Sequence, residues 1–127
     1  MRGISIKDFD SRGVLAFDLC DILKVLPDAK FSHWKLHGID CFGRNASRLV
    51  NIAHSKQSVS GIELLRLIAG VDQVVDGEFS GYRADEREPW IVIRAVDSTA
   101  FDVVTDNEHG LSLLRNTFSN VTDLPSS

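Results

Sequence analysis

The chain holds only two cysteines among its 127 residues. Cys20 and Cys41 are too few for a disulfide scaffold and read as reduced thiols, with a single bridge as the minority alternative. A chain of this length buries well over half of its unfolded surface, so its core requires neither disulfides nor a metal. No apolar run approaches the roughly 18 residues of a transmembrane helix. Met1 to Asp10 carries Arg2, Lys7, Asp8 and Asp10 where a signal peptide has its apolar stretch. A cytoplasmic location is therefore expected, and the sequons at Asn45 and Asn120 are set aside. No repeat, low-complexity tract or linker divides the chain. It reads as one globular domain over residues 1–127, frayed at about 1–10 and 121–127.

Catalytic signatures are equally scarce. No serine lies in a Gly-x-Ser-x-Gly context. Gly77-Glu78-Phe79-Ser80-Gly81 has no lysine and opens no helix, so it is no phosphate loop, and its carboxylate repels phosphate. His33, His37 and Cys41 recur every four residues, a zinc spacing on a helix. The segment reads as a strand, where each step of four spans roughly 13 Å, too far for one metal. Cys20 falls inside an amphipathic helix pattern as a small buried thiol. Cys41 has no histidine placed by sequence to activate it. No catalytic residue, metal or cofactor is assigned.

What is present is ordinary globular usage, 43% hydrophobic and 25% charged residues, with an uneven charge layout. Residues 1–71 hold ten Lys/Arg and seven Asp/Glu, net +3, whereas residues 72–127 hold four and eleven, net −7. The acidic half steers basic partners and repels nucleic acid. The basic residues of the first half are scattered singly, which does not make a nucleic-acid surface. A merely solvating acidic surface remains the alternative.

Hydrophobic periodicity supplies the elements. Leu15, Leu19, Ile22, Leu23 and Leu26 form one helical stripe stopped by Pro27. Phe31 to Phe42 alternates as a strand. Asn45 caps a helix to about His54, with Leu49, Ile52 and Ala53 buried. Ser60 and Glu63 form a capping box before a helix whose stripe is Ile62, Leu65 and Ile68. From Val71 the period becomes 2, placing Val71, Val75 and Phe79 on one side of a strand to Tyr82. Trp90 to Asp97 is apolar on both faces except Arg94, which predicts a central strand. Ser98-Thr99-Ala100 turns into a strand through Phe101, Val103 and Val104, and Thr105 and Glu108 open a last helix bearing Leu111, Leu114 and Phe118. The order predicts an α+β fold: an antiparallel sheet of about four strands with helices packed mainly on one face.

Asp76 and Glu78 alternate on one strand about 7 Å apart, a spacing that two-carboxylate hydrolases use. Tyr82 and Trp90 flank the charged loop Arg83 to Pro89, and with Arg83 and Arg87 they are the residue types of protein-binding hot spots. Trp90 reads more readily still as a core lid residue. The stretch Asp72 to Phe79, then Trp90 to Ser98, Phe101-Asp102-Val103 and Leu114-Arg115-x-x-Phe118, resembles small bacterial proteins of no assigned activity. The build is similar to that of immunity proteins: small, acidic, cytosolic, α+β and without an active site of their own. That resemblance implies a non-enzymatic module whose partner is a basic protein such as a toxin, with no nucleic acid and no membrane. The expected docking residues are Asp76, Glu78, Tyr82, Asp85, Glu86, Glu88 and Trp90. Two alternatives stay open. One is a small enzyme or ligand-binding domain with Asp76, Glu78 and Tyr82 lining a pocket. The other is a homo-oligomer built on a sheet edge.

Overall fold

A computed structural model describes residues 1–125. The chain runs β1 (Arg2–Ile6), α1 (Leu19–Val25), a 3₁₀ turn (Ala29–Phe31), β2 (His33–Gly43), α2 (Ala46–Ser55), β3 (Val59–Ser60), α3 (Gly61–Ile68), β4 (Val71–Tyr82), β5 (Ile91–Val96), β6 (Ala100–Thr105), α4 (Glu108–Thr117) and β7 (Val121–Asp123). The fold is α+β, with an open antiparallel sheet in the order β3-β2-β4-β5-β6-β1-β7. That is seven strands rather than about four. The additional strands are β1, β3 and β7, all short. Strands occupy part of both stretches expected to fray: β1 lies between β6 and β7, and Ile4 and Ile6 are buried. Ser126 and Ser127 lie outside the described residues.

β5 is the middle strand, as its apolar run predicts, but only one of its faces is buried. Ile91, Ile93 and Ala95 enter the core, while Val96 is exposed. The same parity holds across the sheet: Ile4, Ile6, Trp34, Leu36, Phe79, Phe101 and Val103 share one core with Leu19, Ile22, Leu23, Leu49, Leu64, Leu67, Leu111 and Leu114 of the helices. The opposite face is free of helices among the described residues.

Local geometry moves several predicted positions. α1 begins at Leu19 because Phe9 and Leu15 form a bridge and the backbone N–H of the N-cap Asp18 donates to Asp21 Oδ2 at 2.9 Å. α3 buries Leu64, Leu67 and Ile68, and leaves Ile62 66% exposed. The close approach of Gly61 to the 3₁₀ turn sets this rotation: a Cβ there would lie 2.0 Å from the Ala29 carbonyl oxygen. Ser60 Oγ does accept the Glu63 N–H, at 3.1 Å, but the Glu63 carboxylate bonds Arg66. In β4, irregular pairing with β2 between His37 and Cys41 moves the buried position from Val75 to Val74. Thr105 ends β6 and donates its hydroxyl to the Trp90 carbonyl at 2.7 Å; Asn107 caps α4 instead, accepting the Gly110 N–H at 3.1 Å. The β5–β6 turn has Asp97 at φ 47° and Ser98 at φ 58°, the positive values a type I′ turn requires.

Asp18 ties α1 to the sheet. Its half-buried carboxylate accepts the Val74 N–H at 3.2 Å, and burial raises its pKa from 3.8 to about 6. The folded state therefore holds this proton more tightly than the unfolded chain. The resulting stabilisation is complete below about pH 4 and is lost as pH rises through about 6. Two units correspond to about 3 kcal/mol for a fully buried group, and solvent screening at a half-buried one reduces this to about 1–2 kcal/mol. Asparagine caps a helix as well as aspartate and carries no charge. Asp18→Asn is expected to match the wild type in urea unfolding at pH 4 and to exceed it by about 1 kcal/mol at pH 8. An equal difference at both pH values would contradict this.

Candidate functional site

Seven residues were expected to form one docking surface, and the structure separates them. Trp90 is 1% exposed; its indole N–H donates to Ser32 Oγ at 2.8 Å, and the Arg83 guanidinium lies 5.0 Å from its ring centroid. It is a core residue and presents nothing to a partner. Pro89 ends the loop beside it, and the Trp90 N–H and carbonyl are held by the Gly81 carbonyl and by Thr105 and Asp106. The bulky ring fills the end of the core under the loop.

Asp76 lies at the middle of β4, roughly 20 Å along the strand from Tyr82. Its carboxylate accepts the Asp97 N–H at 2.8 Å and so anchors the β5–β6 turn, where Gln73 also donates to Ser98 Oγ at 2.9 Å. Glu78 lies on the helix-free face and accepts from Arg94 Nε at 2.8 Å. Tyr82, on the same face, stacks on His33 with ring centroids 5.3 Å apart and interplanar angle 14°, and Lys35 Nζ lies 5.2 Å from its centroid. Asp76 and Glu78 thus hold neighbouring backbone and side chains on an open surface, and with Tyr82 they border none of five depressions among the described residues.

The remaining three, Asp85, Glu86 and Glu88, are exposed on the β4–β5 loop. Arg83 organises the base of this loop. Its guanidinium reaches Asp106 at 3.3 Å and Glu86 at 3.7 Å, and the Asp106 bond raises its pKa further. Beside it lies a notch of about 390 Å³ lined by Asp28, Phe31, Ser32, Arg83 and Ala84. Phe31 is 75% exposed at the notch, with Lys30 Nζ 5.1 Å from its ring centroid. The loop, the notch and Phe31 gather at one end of the sheet, because β2 and β5 begin there and β4 and β6 end there. The acidic side chains of the 3₁₀ turn, the loop and the segment after β6 include Asp28, Asp85, Glu86, Glu88, Asp106 and Glu108, and the cations near them include Arg2, Lys30, Arg83 and Arg87. Ion pairs engage Arg83 with Asp106 and Glu86, and Arg2 with Glu108.

Sequence reasoning missed Phe31 and Asp28. Phe31 reads as the first apolar residue of β2, but a 3₁₀ turn precedes the strand and turns it outward. The Pro27-Asp28 helix stop was the available signal, since a chain leaving a helix at a proline commonly turns before it extends.

The cysteines are both half-buried and unpaired. Burial, then the neighbouring Asp40 and Asp18, pushes the Cys41 thiol up, the opposite of nucleophile activation. His33, His37 and Cys41 form no metal cluster, and no group of three or more metal-ligating side chains occurs among the described residues. No helix of the described residues is long and apolar enough to cross a membrane. Comparisons with protein-family models, with curated proteins and with solved structures found no match to this chain.

Proposed function

We propose that this chain is a non-enzymatic protein-binding module of the bacterial cytoplasm. On this reading it docks a basic partner, in the manner of an immunity protein on a toxin, through the acidic end of its sheet. The observation that carries the reading is Phe31, exposed at the notch beside Asp28 and the acidic loop. An exposed aromatic ring at a concavity is the usual anchor of a protein interface. Asp85, Glu86 and Glu88 around it supply long-range attraction for a cationic surface. Tyr82, stacked on His33, borders this end on the helix-free face and extends the contact area. Asp76 and Trp90 are left out of the docking set, because one anchors a distant turn and the other fills the core.

The test is an affinity capture from lysate of the native host, with the tagged chain at low and at moderate salt. One basic protein is expected to be retained in near-equal amount and weakened by salt. Retention is expected to be lost for the Glu86→Lys/Glu88→Lys variant and, separately, for Phe31→Ala. With the purified pair, the charge reversal is expected to slow association about tenfold or more at low salt and to change dissociation little. A partner that binds both variants as it binds the wild type sinks the proposal.

A further inference from the structure

The helix-free face has unequal relief on its two halves. β2, β4 and β5 carry Lys35, His37, Tyr82, Val92, Arg94 and Val96 there. β6, β1 and β7 carry Ala100, Asp102, Val104, Gly3, Ser5 and Thr122 there, mostly shorter side chains; Ala100 and Ser5 are buried, and the Leu124 side chain lies over Gly3. Two depressions overlie this second half. One, of about 510 Å³, is bordered by Gly3, Val104 and Leu124, and reaches Arg94. The other, of about 280 Å³, is bordered by Ser5, Ala100, Asp102 and Thr122, and reaches Val96.

Strand register sets the rows that cross the face. One row runs His37, Glu78, Arg94, Asp102, Ser5, Thr122 across β2, β4, β5, β6, β1 and β7. The next runs Lys35, Ser80, Val92, Val104, Gly3 across β2, β4, β5, β6 and β1. Arg94 spends its Nε on Glu78 and keeps two further nitrogens as donors. Asp102 is half-buried and has no ion pair among the described residues.

We propose that a second copy of this chain docks face to face on this surface, about a twofold axis that runs between β5 and β6 and parallel to them. The rotation lays β5 on the second copy's β6, β4 on its β1 and β2 on its β7. Arg94 then meets the second copy's Asp102, and Val92 meets its Val104, each twice by symmetry. Glu78 meets Ser5, and the raised half of each face meets the depressed half of the other. A twofold axis across the strands instead would set Arg94 against Arg94 and Glu78 against Glu78, so charge selects the first orientation. Twisted sheets stack in this aligned way about 10 Å apart. Five strands about 4.8 Å apart and about 17 Å long, with the three-residue β7 beside them, present roughly 450 Å² of sheet plane per copy. Side-chain relief brings the accessible area toward the roughly 800 Å² per partner of a standard interface. The docking end proposed above stays outside this contact apart from the margins at Tyr82 and at Arg2, which lines the larger depression, and neither proposal depends on the other.

Sedimentation of the full chain over a concentration series tests this. The wild type is expected to show a reversible monomer–dimer equilibrium. Arg94→Asp and Asp102→Arg, each alone, are expected to weaken the dimer about tenfold or more. Because the two residues are also cross-strand neighbours within one chain, each variant's thermal midpoint is expected to fall somewhat, and the dimer is compared at a temperature where the monomer stays folded. The double variant Arg94→Asp/Asp102→Arg recreates the pair with its signs exchanged and is expected to recover most of the dimer. It also keeps the proposal testable if either single variant folds poorly. A chain that stays monomeric to its solubility limit overturns the proposal. So does a dimer that ignores the single reversals, or one that the double exchange fails to restore.

Discussion

Replacing Ile4 by aspartate is expected to leave the chain unfolded at room temperature, and replacing it by alanine to cost about 2–5 kcal/mol. Ile4 is fully buried in β1, opposite Val103 of β6 on one side and Asp123 of β7 on the other. Alanine removes core volume and leaves a cavity. Aspartate adds the burial of a carboxylate with no partner, a cost of several kcal/mol more. Together these approach the about 5–15 kcal/mol by which a domain of this kind is stable. Far-UV circular dichroism and urea unfolding measure the effect. A wild-type midpoint in Ile4→Asp would mean that the N-terminal segment is frayed after all and that β1 adds nothing to the core.

Trp90→Ala is expected to cost about 3–5 kcal/mol, the usual range for deleting a buried aromatic ring. The ring fills the core beneath the β4–β5 loop, donates to Ser32 and supports the Arg83 guanidinium. Trp90→Phe keeps most of the volume and loses the hydrogen bond, so about 1–2 kcal/mol is expected. Urea unfolding separates the two. The comparison also divides core from docking surface: Trp90→Phe should bind a captured partner as the wild type does, whereas Phe31→Ala should keep stability and lose the partner. Unchanged stability in Trp90→Ala together with lost binding would return Trp90 to the interface.

The long elements were legible because each carries its period within one segment. β5 alternates Ile91, Ile93 and Ala95 against Val92, Arg94 and Val96, and its place at the centre of the sheet follows from that run. Leu111 and Leu114 place α4, and Ser60 with Glu63 places the start of α3. β3 and β7 were not legible, since two and three residues carry no period. β1 does alternate, with Ile4 and Ile6 inward, but the charges around it outweigh two apolar positions when the segment is read alone. Pairing with β6 makes it a strand.

The candidate site divides in the same way. That Asp85, Glu86 and Glu88 lie on an exposed loop follows from a charged run ended by Pro89, since such a run has no way to be buried. Whether Trp90 points inward depends on Ser32 and Thr105, which lie far from it in sequence. Which helix face is buried in α3 depends on Gly61 meeting Ala29.

The amino-acid sequence by itself determined the α+β class, the four helices, the central strand and the acidic loop, because these depend on residues close along the chain. The tertiary structure alone decided that the sheet has seven strands, that Trp90 is core while Phe31 is surface, and that Asp76 serves a turn. Each of these rests on contacts between segments distant in sequence, where burial and hydrogen-bond partners outweigh local pattern.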